Sequence, residues 1–262
     1  MGGRDAPQQT VSGAAGAREG TGGSRASVGI EIWGVLNVTP DSFSDGGRFV
    51  SSDGALSVAR ARAHAEEMHA AGADVIDVGG ASSRPPGRTY GAGAPSVTEA
   101  EEIARVVPVI EALFAMAEAA MAEAAMAEAA IARPGPRISI DTTSAAVAAR
   151  SLAAGASIVN DVSMGASDAL LEVVAQSGAE LVLMHTRDGG RVDARTTAYG
   201  DVVADVIDEL DRAVARAVAR GVREDRIWID PGIGFAKTAA QSAALLAATS
   251  RLVRGRGDVA HG

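Results

Sequence analysis

Asn37, Asp41 and Asp45 lie in the run N-V-T-P-D-S-F-S-D-G-G, residues 37–47, which leaves an apolar segment and enters a glycine-rich stretch. Their side chains offer hard oxygen donors at short spacing. Such donors hold Mg²⁺ and, through it, a diphosphate. An ordinary turn rich in Asp and Ser accounts for any four of these residues, but not for all eleven. Pro40 stops the strand, and Gly46 and Gly47 permit unusual backbone angles. Further polar residues recur at the ends of later apolar runs: Asp77, Asp141, Asn160 with Asp161, His185 and Asp230. Asp141 and Asp230 would serve equally well as N-caps of a following helix. Two strand-end carboxylates together with Asn160 shift the balance towards a site. His185 is read as a structural strand-end histidine in preference to a general base, and Lys237 as a solvated or structural lysine at a helix start.

The elements that must carry these residues alternate. Short apolar runs at 31–38, 73–80, 137–142, 157–162, 180–186 and 226–232 have the length and bounding residues of buried strands. Helix-like stretches fall between them at 53–71, 98–132, 143–154, 167–177 and 200–221. Four of these end at a glycine just before the next strand (Gly72, Gly155, Gly178 and Gly221), where a left-handed cap is expected. The pattern predicts βα units and a parallel sheet. A polar residue at each strand's C-terminal end favours a (β/α)8 barrel over an open doubly wound sheet, which also binds ligands at carboxyl ends. Residues 115–130 repeat a five-residue Ala/Met/Glu unit, strongly helix-forming but out of phase with a 3.6-residue turn.

The chain has 262 residues, 47% of them apolar and 3% aromatic, so Ala and aliphatic side chains must fill the core. A formal charge of −9 gives no footing for nucleic acid or an anionic membrane, and an anionic ligand needs a local site. The absence of cysteine excludes disulfides and thiolate chemistry. No secretory signal and no 18-residue apolar run is present, which makes the cytoplasm the default. Residues 1–28 are glycine-rich, poor in large apolar side chains, and read as a disordered tail ahead of a domain spanning 29–262.

Taken in order, six motifs resemble those of the dihydropteroate synthase family. They are the 37–47 run, GGASSRPPG at 79–87, SIDT at 139–142, NDV at 160–162, MHTR at 184–187 and DPGIGFAKT at 230–238. The resemblance covers about residues 29–247. It implies a TIM barrel that condenses 6-hydroxymethyl-7,8-dihydropterin diphosphate with p-aminobenzoate, giving 7,8-dihydropteroate and diphosphate. It also implies that Asp141, Asn160 and Asp230 bind the pterin, with Met184 and Phe235 against its ring faces. Asn37 would help hold a Mg²⁺–diphosphate, and Asp45 would sit near the developing cation. Phe43, Ser83, Arg84 and Pro85 would form the p-aminobenzoate loop. A homodimer through outer helices late in the barrel goes with the family.

Two departures stand out. Ala81 occupies the place of a usual Glu, and Ser83 that of a usual Thr. The family's seventh and eighth strands end in S-R-K and R-V-H-D, and TSRLV at 249–253 and DVAH at 258–261 only faintly echo them. About six of eight βα units are therefore expected, in a domain incomplete at its C-terminal end. A non-catalytic remnant that binds pterin or a partner is the alternative function. A pterin-binding methyltransferase barrel is disfavoured by the two synthase-type loops.

Overall fold

The computed structural model describes residues 30–39, 57–81, 97–126 and 134–254, without the side chains of 123–126 and 254. The expected N-terminal tail lies outside them, as do Asp45, Phe43, Ser83, Arg84, Pro85 and the end of the Ala/Met/Glu repeat.

Six parallel strands run in chain order: β1 (Trp33–Asn37), β2 (Val75–Gly79), β3 (Arg137–Asp141), β4 (Ile158–Asp161), β5 (Glu180–Met184) and β6 (Ile227–Asp230). Between and after them lie α1 (Val58–Ala70), α2 (Glu99–Met126), α3 (Ala145–Ala153), α4 (Asp168–Ser177), α5 (Val202–Ala219), α6 (Ala239–Ala247) and α7 (Thr249–Arg254). Each strand neighbours the next in sequence, with no reversal of order. A doubly wound sheet reverses at its switch point. Sequential order is the barrel's arrangement, and the six strands are six of the eight units of a (β/α)8 fold.

The helices cover one face only. Leu36, Val78, Ile140, Val159 and Leu183 point outward and join Ala65, Ile110, Leu113, Val147, Leu171 and Val174 of the helices in one apolar layer. On the opposite face Val75, Ile158 and Val182 meet Trp33, with no helix residue among them. Strand side chains alternate between faces. The inner face therefore also receives Asn37, Asp77, Gly79, Asp141, Asn160, Met184 and Asp230, every one of the predicted strand-end residues except Asp161 and His185.

At the N-terminal ends of the strands, Arg137 pairs with Glu31 at 2.7 Å and Glu180 at 2.9 Å, and Trp228 Nε1 donates to Glu180 at 2.7 Å. This cluster ties β3 to β5 and β6 and keeps its charges at the end of the sheet opposite the polar strand ends.

The helix starts settle the capping question. Ser144 caps α3, accepting from Val147 N–H, and Thr238 caps α6 in a reciprocal box with Gln241. Neither Asp141 nor Asp230 is an N-cap. Gly178 ends α4 at φ 70°, as the sequence pattern anticipates.

Candidate active site

Strand register places the site. Asn37 lies level with Gly79, Gly79 with Asp141, and Asp141 with Asn160, so four neighbouring strands put these residues in one row. Met184 lies level with Asp230 on the next pair. The row has a gap. A Cβ added to Gly79 would lie 2.9 Å from Asn37 Oδ1 and 3.7 Å from Asp141 Oδ2. The missing side chain lets a carboxamide and a carboxylate converge over β2. Gly79→Ala should push the Asn37 side chain aside while leaving stability within about 1 kcal/mol, because the nearest atom ends a flexible side chain. Equilibrium unfolding and ligand titration together check this: ligand binding should weaken while the unfolding midpoint holds.

Asn160 Nδ2 donates to Asp77 Oδ2 at 2.9 Å, which fixes which way its amide faces. Asp77 is buried, and burial pushes its carboxyl above the ordinary carboxylate range. The neighbouring Asp161 points the other way. It accepts from Ser163 N–H at 2.8 Å and Gly165 N–H at 2.6 Å, so it shapes the loop into α4. The Asn160–Asp161 pair thus divides into a residue of the inner-face row and a residue that shapes a loop.

Asp230 Oδ1 accepts from Gly232 N–H at 2.7 Å in a tight turn. Met184 is buried at the end of β5, and Phe235 packs its ring on Gly190. The loops that follow β3 to β6 enclose a cleft of about 470 Å³ lined by Thr143, Val162, Ser163, Ala166, Thr186, Asp188, Gly189 and Phe235. Of the residues predicted for the site, Phe235 lines it.

His185 and Lys237 are both buried, with Lys237 only 3% exposed. Lys237 is structural, and the solvated alternative falls. Lys237 Nζ lies 2.9 Å from His185 Nδ1, and His185 Nε2 lies 3.0 Å from Glu209 Oε2. Arg187 pairs with Glu209 and stacks 3.8 Å over the Tyr199 ring. Burial, followed by the Lys237 charge, lowers His185 to about 4, so it stays neutral at physiological pH. Sequence analysis missed Glu209, Arg187 and Tyr199. One signal was available: Glu209 falls within the helical stripe of Val206, Leu210 and Ala213, where a lone carboxylate needs a partner.

Among the described residues no cluster of three or more His, Cys, Asp or Glu could hold a metal. Asn37 fits a more modest part. Mg²⁺ commonly takes one or two protein oxygens and completes its shell with phosphate and water. The Asn37 carboxamide oxygen beside the Gly79 gap is a hard oxygen that such an ion could take.

Residues 33–259 match the family model described as "Pterin binding enzyme". The chain is 40% identical over 208 residues to the dihydropteroate synthase of Bacillus subtilis, matching 79% of this chain and 60% of that protein. It is 39% identical over 221 residues to a probable bifunctional folylpolyglutamate synthase/dihydropteroate synthase of Haloferax volcanii, matching 84% of this chain and 23% of that one. The chain therefore spans less than two thirds of either relative's length. A solved dihydropteroate synthase of Xanthomonas albilineans with 4-aminobenzoic acid superposes with a TM-score of 0.67 at 35% identity, covering 86% of this chain and 69% of that one. With a family match across most of its length and a shared fold at this identity, the chain belongs to the pterin-binding enzyme family, among the dihydropteroate synthases.

Proposed function

We propose that this chain carries the dihydropteroate synthase reaction, joining 6-hydroxymethyl-7,8-dihydropterin diphosphate to p-aminobenzoate. The observation that carries this is the row of Asn37, Asp141 and Asn160 opened by Gly79, with Asp230 and Met184 beside it. A pterin presents a 2-amino group, ring N–H donors and a carbonyl. Asp141 and Asp230 would accept from the donors, and the Asn160 amide, oriented by Asp77, would meet the mixed edge. Met184 and Phe235 would flank the ring. The C–O bond to diphosphate breaks with its electron pair leaving on diphosphate. The arylamine nitrogen then forms the C–N bond and loses a proton to solvent. Mg²⁺, held in part by Asn37, would neutralise charge on the leaving diphosphate. Asp45, Phe43, Ser83, Arg84 and Pro85, outside the described residues, are proposed for the cation and the p-aminobenzoate subsite on motif position. A homodimer rests on the resemblance, and a cytoplasmic location is proposed as the default that the sequence suggests. No helix among the described residues is long and apolar enough to cross a membrane.

Calorimetric titration with the pterin diphosphate and Mg²⁺, followed by a diphosphate-release assay on adding p-aminobenzoate, tests the proposal. Release supports a synthase. Binding without release supports a pterin-binding, non-catalytic chain, and neither would sink both. Asp141→Asn should weaken pterin binding about tenfold or more, the cost of a hydrogen bond to a charged group.

A further inference from the structure

We propose that Lys237 is a positioning residue: its ammonium sets the β6–α6 loop so that Asp230 and Phe235 flank one ligand site. The proposal rests on the pterin reading above for what that ligand is. The geometry points to it in three steps.

First, the ammonium is matched to its surroundings. It donates to Gly232 O at 3.0 Å, Phe235 O at 2.9 Å and His185 Nδ1 at 2.9 Å. Three N–H donors meet three acceptors inside the protein, the full capacity of the group. Second, those acceptors belong to the site. Gly232 N–H holds the Asp230 carboxylate, and Gly232 O is held by Lys237, so a single residue links the lysine to the carboxylate. Phe235 N–H also reaches Gly232 O at 3.1 Å, and the next residue, Ala236, donates to Gly190 O at 3.0 Å. The ring of Phe235 is thereby set against Gly190. Third, the lysine is anchored to the sheet. Since His185 Nδ1 accepts from Lys237, the imidazole proton is on Nε2 and goes to Glu209. His185 N–H also donates to Asp230 O at 2.8 Å, closing the loop on the β5–β6 pair.

Among the described residues, Asp230 of β6, His185 just after β5, Arg187 of the same loop and Glu209 of α5 bear on Lys237 electrostatically or by hydrogen bond. Burial lowers its pKa to about 8, Asp230 and Glu209 oppose that, and Arg187 adds to it. At neutral pH the group remains an ammonium with all three donors.

The chain has no cysteine, so Lys237→Cys carries a single thiol that can be alkylated in denaturant before refolding. Aminoethylation restores an ammonium at nearly the original length, and carbamidomethylation supplies a neutral amide. Affinity for 6-hydroxymethylpterin should fall at least tenfold in Lys237→Met and in the carbamidomethyl protein. It should return to within about threefold of the unmodified chain after aminoethylation. Amide hydrogen exchange without ligand should rise about tenfold at Gly232 to Ala236 in Lys237→Met and stay unchanged in β3 and β4. Unaltered affinity and exchange in Lys237→Met, no rescue by aminoethylation, or a uniform rise in exchange across all strands would each overturn the proposal. If the unmodified chain binds no pterin, the pterin reading fails alone, and the exchange pattern still decides the role of Lys237.

Discussion

Replacing Gly232 by alanine is expected to cost more than about 4 kcal/mol of folding stability, in the range reserved for direct backbone conflict. The added Cβ would lie 2.0 Å from the His185 carbonyl oxygen and 3.1 Å from its carbonyl carbon. Neither atom can swing away, because both belong to the backbone where β5 ends. The residue also sits at φ +65°, a conformation that costs an L side chain about 1 kcal/mol even in open space. Gly189→Ala separates the two effects. Its φ is +62°, and nothing lies within 4 Å of the added atom. That variant should lose only about 1 kcal/mol. Urea unfolding of both variants measures the difference, and equal losses would show that the contact with His185 is not rigid. Pterin binding should vanish in Gly232→Ala, since Asp230 is oriented through the amide that must move.

The second large effect is a dependence on pH from His185. In the unfolded chain its imidazole takes a proton near 6.5, and in the folded chain not until about 4. Between those values the unfolded state holds more protons, so stability falls as pH drops from 6.5 towards 4. The full difference is about 3 kcal/mol. The cause is burial, with the Lys237 ammonium next in size. Asp77, Glu102 and Asp161 pull the other way. Burial raises their pKa values, so the folded state gains protons there on acidification. A His185→Gln variant isolates the histidine. Its stability deficit relative to the parent should shrink by about 3 kcal/mol between pH 7 and pH 4. A deficit independent of pH would mean that the imidazole is not held neutral.

Most of the fold was legible because each strand is short, apolar and ended by a polar residue. The six strand segments and five helix segments all appear with ends shifted by a few residues, while 53–56 and 127–132 lie outside the described residues. Asn37, Asp141, Asn160 and Asp230 stand out in the sequence as polar strand ends and Met184 through the family resemblance, and strand alternation puts all five on the inner face. What sequence could not separate was cap from ligand. Asp141 and Asp230 satisfy either role by residue type, and only Ser144 and Thr238, three and eight residues on, show that the cap role is filled by other residues. The Lys237–His185–Glu209 chain was opaque for another reason. Its members lie 24 and 52 residues apart, and a buried lysine looks like a solvated one until its acceptors are placed. Gly79 was visible as part of a motif, but its importance lies in a missing atom, which no residue pattern reveals.

The division of labour between Ser144 and Asp141, and again between Thr238 and Asp230, has an evolutionary consequence. A helix held by its own serine or threonine does not depend on the carboxylate upstream. Substitutions that retune what the barrel mouth recognises can then accumulate without unravelling the scaffold beneath. Substitution at Asp141 or Asp230 would therefore leave the caps of α3 and α6 in place, although Asp230 also holds the Gly232 turn.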